Sequence, residues 1–328
     1  MLRTGDVCPI APGVHWLRMP LPYRLNHVNL WILEDGDALT VVDTGMNLPE
    51  SRAIWEDVLA ERFPGRGVRR VICTHYHSDH IGLAAWLCER SGAPLLMSRI
   101  EWATARCLGI DRTPELLAAQ RAFYRRLGYP PAWLDRLDAV GNAYAGKVVP
   151  VPPVLHRLET GDEIAIGGRT WRVLLAAGHS PAMACLAADD LVIVGDHILP
   201  SITPNVSIYP SEPESDPLGE YLSSFAPFRD LDGGCLVLAS HGRPFRGLHP
   251  RIDEIEAHHE ERLARVAEAC RTPATVVEML DVLFATGLTD HERVIASGEA
   301  LAHVRHLQSR GEVVERQGDD GVLRFEAQ

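Results

Sequence analysis

Within the stretch THYHSDHIG (residues 74–82), His75, His77, Asp79 and His80 fall inside six positions, directly after the apolar run Val71-Ile72-Cys73. Buried without partners, such groups would cost several kcal/mol. A metal ion offsets that cost, because imidazole and carboxylate are its common ligands. The spacing fits neither one face of a helix nor one face of a strand, so the side chains fan out from a loop. Imidazole with carboxylate suits Zn²⁺, Mn²⁺ or Fe²⁺, and no thiolate lies nearby to select a softer metal. No G-x-S-x-G elbow is present, so a serine nucleophile of that type is not indicated.

The elements around this loop must deliver it. GVHWLRM, VNLWILE and ALTVVDTG read as strands, the last two joined by the Asp-Gly turn of EDGD. NLPESRAIWEDVLAERF carries Ile54, Val58 and Leu59 at helical spacing and stops at Pro64-Gly65. VRRVICTH is a buried strand leading into the histidine loop, and GLAAWLCERSG a helix ending at Gly92. Residues 99–147 change character: TPELLAAQRAFYRRLGY has Thr113 as N-cap, Pro114 at N1 and Gly128 past the end, which predicts a helical insertion. Strand patterns resume at HRLETGDEIAIGGRTWRVLLAAGHS, DDLVIVGDH and GCLVLASHG, ending in His179, Asp196 and His241. That recurrence predicts strands sharing one sheet edge, where their terminal ligands converge. From about residue 250 the chain turns helical and closes with EVVERQGDDGVLRFEA, a hairpin pattern. Helices followed by a two-stranded wing suggest a winged helix-turn-helix module.

The chain has 328 residues, 46% hydrophobic and 23% charged, an ordinary soluble composition that favours a main domain plus an appendage. The boundaries read as 1–250 for a catalytic domain and 251–328 for a helical linker with the winged-helix-like module. A net charge of -12 opposes general affinity for nucleic acid or anionic membrane. The 7 cysteines are scattered, with no C-x-x-C, which indicates neither a disulfide framework nor a zinc knuckle and fits a reducing cytoplasm.

THYHSDHIG, VVDTG (41–45), AGHS (177–180), GDH (195–197) and SHG (240–242) together resemble the five ordered motifs of the metallo-β-lactamase-fold superfamily. The resemblance implies an α/β fold, a four-layer αβ/βα sandwich, and a dinuclear hydrolase. In it His75, His77 and His179 would bind one metal, and Asp79, His80 and His241 a second, with Asp196 bridging both. The expected cofactors are two divalent ions, zinc first, with manganese or iron as alternatives. Asp196 stands where the antibiotic-degrading members use a cysteine, which favours a hydrolase of another kind. Catalytic roles fall to Asp79, which is also a ligand, and to Asp43, which would orient the ligand shell.

The reaction class is a metal-bound hydroxide attacking an acyl carbonyl, and the substrate is less well specified. The insertion offers Leu116, Leu117, Phe123, Tyr124, Leu127, Tyr129, Trp133 and Leu134, either as an apolar wall or as packing. Tyr76, Tyr124 and Tyr209 are candidate substrate contacts, and Ser207 stands near Tyr209. No dedicated general acid is recognisable, which favours a good leaving group: a thioester, an activated ester or a lactone. Alternatives on the same scaffold are a single-strand endoribonuclease and an iron-dependent persulfide dioxygenase, and the tail admits a DNA-binding regulator. The acidic surplus beyond residue 272 opposes both nucleic-acid readings. The expected partners are a small-molecule acyl substrate and a second copy of the chain, without DNA or membrane. His258, His259, His303 and His306 read as helix packing or surface, and His197 as a neighbour of a ligand only.

Overall fold

A computed structural model describes residues 2–284 and 286–328. The chain opens with four antiparallel neighbours, β1 (Val7–Ala11), β2 (Val14–Pro20), β3 (His27–Asp35) and β4 (Ala38–Val42). The Asp-Gly turn expected between the last two is present, with Gly36 at φ 68°. Helix α1 (Pro49–Asp57), prolonged by a π turn over Val58–Arg62, crosses over to β5 (Val68–Ile72), parallel to β4. The short α2 (Ser78–Ile81) and α3 (Ala84–Ser91), which ends in left-handed Gly92, lead to β6 (Leu95–Met97). The insertion holds three helices, α4 (Arg99–Ile110), α5 (Pro114–Arg126) and α6 (Pro131–Val140). Beyond them β7 (His156–Arg157) completes a seven-stranded sheet in chain order.

A second sheet has the order β12-β11-β10-β9-β8, from β8 (Glu163–Ile166), β9 (Arg169–Ala176), β10 (Met183–Ala187), β11 (Leu191–Gly195) and β12 (Leu236–Ala239). Strands β1, β6 and β10 were not legible in the sequence. The run MACLA of β10 is buried at every position, as is β11, but it lacks the Val and Ile that mark β11 as a strand.

Both faces of each sheet are covered, and the side-chain alternation shows it. In β3, Trp31 and Leu33 face the second sheet, while Leu30 and Ile32 face α1 and α3. In β11, Leu191 and Ile193 face the first sheet, while Val192 and Val194 face the outer helices. The order is therefore helices, sheet, sheet, helices, the four-layer αβ/βα sandwich.

The outer layer holds α7 (Pro217–Ser223), α8 (Ala226–Arg229) and α9 (Leu248–Ala269). It continues into α10 (Val276–Leu283) and α11 (Asp290–Ser309), each opened by a Thr-x-x-Glu capping box. The hairpin β13 (Val313–Gln317) and β14 (Leu323–Ala327) follows, with Ala274 pairing to Phe325 as a third short edge. Phe123, Tyr124, Leu127, Tyr129, Trp133 and Leu134 of the insertion join the same core as α9, α10 and α11. Of the two expectations for the insertion, packing is what these side chains do. Leu116 and Leu117 are only half-buried. Among the described residues, no helix is long and apolar enough to cross a membrane.

Candidate metal centre

The residues singled out by the sequence lie just past the ends of strands: Asp43 after β4, His75 and His77 after β5, His179 after β9, Asp196 after β11 and His241 after β12. The expectation of a single sheet edge needs correcting. β4 and β5 belong to one sheet and β9, β11 and β12 to the other, so the cluster forms where the ends of two facing sheets meet. Asp79 and His80 ride on α2, whose N-cap is His77. The turn into His179 requires Gly178: its φ is 105°, and a Cβ there would stand 2.3 Å from the Tyr221 Cβ.

Two sets of three ligand atoms form, joined by one carboxylate. His77 Nδ1 lies 3.0 Å from His75 Nε2 and 2.9 Å from His179 Nε2, and the last two are 3.3 Å apart. A tetrahedral zinc with nitrogens at its usual bond length sets edges of about 3.3 Å, so this triangle nearly has the required size. Asp79 Oδ2 lies 3.6 Å from both His80 Nε2 and His241 Nε2. Asp196 Oδ2 sits between the sets, 3.5 Å from His179 Nε2, 3.5 Å from His80 Nε2 and 3.3 Å from His241 Nε2. His80 Nε2 and Asp196 Oδ1 are buried and without a hydrogen-bond partner. In a folded protein such atoms ordinarily have one, and a cation between the sets would supply it.

Four imidazoles are turned inward by what holds their outer nitrogen. His80 Nδ1 donates to Asp43 Oδ2 at 2.8 Å, His179 Nδ1 to the Asn205 carbonyl at 2.7 Å, and His241 Nδ1 to the His27 carbonyl at 2.8 Å. The Thr74 hydroxyl gives its own proton to Asp43 and accepts from His75 Nδ1 at 2.9 Å. Each Nε2 lone pair is thereby aimed at the centre. Asp43 also accepts from the Thr74 amide at 2.8 Å. Its φ of 62° makes it the one non-glycine residue in the left-handed region among the described residues. Such strain gathers where the surroundings hold a functional group in place.

Electrostatics divides the cluster. Burial pushes His75 and His77 well below the ordinary imidazole range, helped by the neighbouring histidines, and burial lowers His179 as well. His80 and His241 suffer the same desolvation, but the carboxylates of Asp79 and Asp196 outweigh it and raise both. Asp196 lies well below the usual carboxylate range: His241 and His80 outweigh its burial. Three imidazoles held neutral, and two whose protons the carboxylates retain in place of a cation, make a pocket suited to a positive ion.

One residue here escaped the sequence reading. Glu101, fully buried on α4, accepts from the Tyr76 amide at 2.9 Å, the Ser180 hydroxyl at 2.7 Å and the Ala182 amide at 2.7 Å. It ties the loop carrying His75 and His77 to the loop carrying His179. Burial pushes its carboxyl up to about 7, against those three hydrogen bonds. The spacing Ser98-x-x-Glu101 reads as a helix capping box, a local explanation that hides the long-range role.

Tyr76 and Tyr209 come together, while Tyr124 packs on Phe123, Tyr129 and Trp133. The Tyr76 ring is buried against Tyr144 and its phenol meets that of Tyr209. Tyr124 is 2% exposed, so in this conformation it does not face solvent. His197 packs against Tyr221, Phe225 and Phe228, away from the ligand atoms.

Residues 23–267 match the family described as Metallo-beta-lactamase superfamily, and residues 263–328 match one described as Metallo-beta-lactamase-like, C-terminal domain. A crystal structure of a beta-lactamase domain protein from Burkholderia ambifaria is similar to the whole chain. It has a TM-score of 0.92 and 39% identity, covering 100% of this chain and 96% of that one. The probable metallo-hydrolase YqjP of Bacillus subtilis is 23% identical over 321 residues, 94% of each chain. A human protein named acyl-coenzyme A thioesterase MBLAC2 is 24% identical over 197 residues, 56% of this chain and 62% of that one.

Proposed function

The chain belongs to the metallo-beta-lactamase superfamily, and on that premise we propose that it is a dinuclear metal-dependent hydrolase of acyl thioesters or activated esters. His75, His77 and His179 would hold one ion and Asp79, His80 and His241 the other, with Asp196 available to both. The observation that carries this reading is the Asp196 Oδ2 atom, within 3.3–3.5 Å of imidazole nitrogens from both sets. Nitrogen and oxygen donors without thiolate suit zinc first, then manganese or iron. Two ions held there would supply Lewis acidity and a water acidified enough to be a nucleophile at neutral pH.

The protein's own groups do the rest. Asp43 fixes the face that His80 presents, and Asp79 is the more exposed of the two ligand carboxylates. The two other buried carboxyls beside the centre are each held by hydrogen bonds, Asp43 to Thr74 and His80, Glu101 to Tyr76, Ser180 and Ala182. Neither is free to protonate a leaving group, which favours groups that depart as stable anions, a thiolate above all. The name of the human relative supports a thioester. Of the three tyrosines only Tyr209 is half-buried, and its ring suits contact with an acyl chain or an aromatic group. We read residues 251–328 as a helical linker and a winged-helix-like module for packing or dimerisation, without duplex binding, because its sequence is acidic.

The test is a panel of acyl thioesters, aryl and alkyl esters, lactones, a phosphodiester and single-stranded RNA, run on wild type and His77→Ala. Rates on acyl substrates should rise as leaving-group pKa falls and vanish in His77→Ala. A metal-dependent RNA rate above every acyl substrate, lost in His77→Ala, would assign the protein to a different bond.

A further inference from the structure

Between Asp196 and α7, residues 197–216 contain no helix or strand, an unusually long connection for a compact domain. Such a stretch needs a surface to lie on, and α11 of the C-terminal region provides it. The Ile208 amide donates to the Gly298 carbonyl at 3.1 Å, and the Ser207 hydroxyl reaches the Ile295 carbonyl at 3.2 Å. Farther along, Arg305 donates to the Pro213 carbonyl at 3.2 Å and pairs with Glu214 at 3.1 Å. His306 and Ser309 meet Asp216 at 3.0 and 2.9 Å. The loop is held along the length of the helix.

The sequence of α11 permits this approach at one point. A Cβ on Gly298 would stand 2.8 Å from the Ile208 carbonyl oxygen and 2.8 Å from the Ser207 Cβ, closer than real Cβ atoms come. Here glycine serves close packing, its helix entropy cost notwithstanding. Ala296, Ser297 and Ala300 keep the surrounding surface small, and α11 is buried on most sides, as a helix wedged between layers must be.

What the helix holds is tied to the metal centre. Asn205 accepts from His179 Nδ1 through its carbonyl at 2.7 Å and from the Ser207 hydroxyl through its side chain at 2.7 Å. Tyr209, one residue past Ile208, bears on Tyr76, which lies between two ligands. We propose that the C-terminal domain is a working part of the metal centre: α11, docked through Gly298, fixes Asn205 to Tyr209 and thereby the orientation of His179 and the placement of Tyr209 against Tyr76. Gly298 and Ser207 are positioning residues; neither belongs to the ligand set. The inference rests on the reading of His179 as a ligand and needs no particular substrate.

The experiment compares full-length wild type, Gly298→Ala and Gly298→Val by zinc affinity in chelator competition and by amide hydrogen exchange. Gly298→Val should weaken zinc binding roughly 10-fold, the scale of losing an outer support of a ligand. It should also speed exchange across 204–216, with Gly298→Ala in between. Zinc affinity equal to wild type in a variant whose 204–216 segment exchanges faster would overturn the proposal, as would unchanged exchange in that segment. If Gly298→Val does not fold, Ser207→Ala and Arg305→Ala loosen the same segment without added volume, and the same two results decide. Failure of the acyl panel with weakened zinc binding would remove the thioester reading and leave this one standing.

Discussion

Two clusters of histidine are buried in this molecule, and only one of them looks like a site. At the meeting of the two sheets, His75, His80, His179 and His241 present Nε2, and His77 presents Nδ1, toward common points shared with Asp79 and Asp196. Between α9 and α11, His259 and His303 are as deeply buried, and His259 also has an unpartnered Nε2. There, however, His259 Nδ1 faces His303 Nε2 at 3.2 Å, and His303 Nδ1 donates to the Glu299 carbonyl at 2.8 Å. The nearby charge is the Arg262–Glu299 pair at 2.9 Å, already neutralised, and Tyr221 packs against the ring. Buried imidazole alone therefore marks nothing. A site needs lone pairs that converge and carboxylates that leave room for a cation.

The sharpest way to break that contrast is to remove one member from each cluster. Asp196→Ala should lower hydrolysis by at least ~10²-fold, comparable to deleting a group that stabilises developing charge, and elemental analysis should find less than the wild-type metal content. His259→Phe leaves the buried His303 Nε2 without its partner, a stability cost of about 1–3 kcal/mol, but touches no member of the metal cluster. Its metal content and rate should match wild type. Equal losses in the two variants would dissolve the distinction.

A smaller effect tests the supports. Asn tolerates the left-handed backbone of Asp43, so Asp43→Asn removes the charge that His80 donates to while keeping its shape. Metal affinity should fall by about 10- to 100-fold. Glu101→Gln keeps an acceptor for Ser180 and Ala182 but sets an amide N–H against the Tyr76 amide. Its loss should be the lesser, because it ties loops together without touching a ligand. Chelator titration orders the two, and the reverse order would show that loop placement outweighs ligand orientation.

The ligand cluster was legible because His, Asp and Gly recur at the ends of apolar runs, and metal chemistry explains that pattern without reference to fold. The sandwich was legible where strands alternate, as in β8, or where a turn is spelled out, as at Gly36. It was not legible in β10, whose Met-Ala-Cys-Leu-Ala run lacks the β-branched residues of the equally buried β11, nor in the split of ligands between two sheets, since pairing partners leave no mark on a single strand. Glu101 and Gly298 were invisible for another reason. Each has a sufficient local reading, a helix cap and a helix glycine, while its role depends on a contact far away in sequence. His258, His259, His303 and His306 were read as packing or surface, and His259 and His303 pack.

The subtlest test concerns pH and uses the second cluster. Burial, with help from His303, pushes His259 from the usual 6.5 to about 3, and burial pushes His303 to about 4. Both imidazoles are thus neutral when folded and free to take a proton when unfolded. Stability from such groups is fully present above pH 6.5 and is lost as pH falls toward the folded values, because the unfolded chain binds protons first. Shifts of this size correspond to roughly 5 kcal/mol for His259 and 3 kcal/mol for His303, with overlap because the rings touch. Neighbouring His258 is itself lowered by burial, and the Glu299 carboxylate is paired with Arg262, so neither supplies a free negative charge that would ease protonation. Metal-free wild type and the double variant His259→Phe/His303→Leu should therefore be unfolded in denaturant between pH 7.5 and 4.5. Protonation of the five histidines where the two sheets meet is common to both proteins and cancels in the difference. The double variant should lose less stability on acidification, by a few kcal/mol at the acid end. Parallel curves would mean that the helix interface opens before it charges, and that its histidines are not the sealed packing their burial suggests.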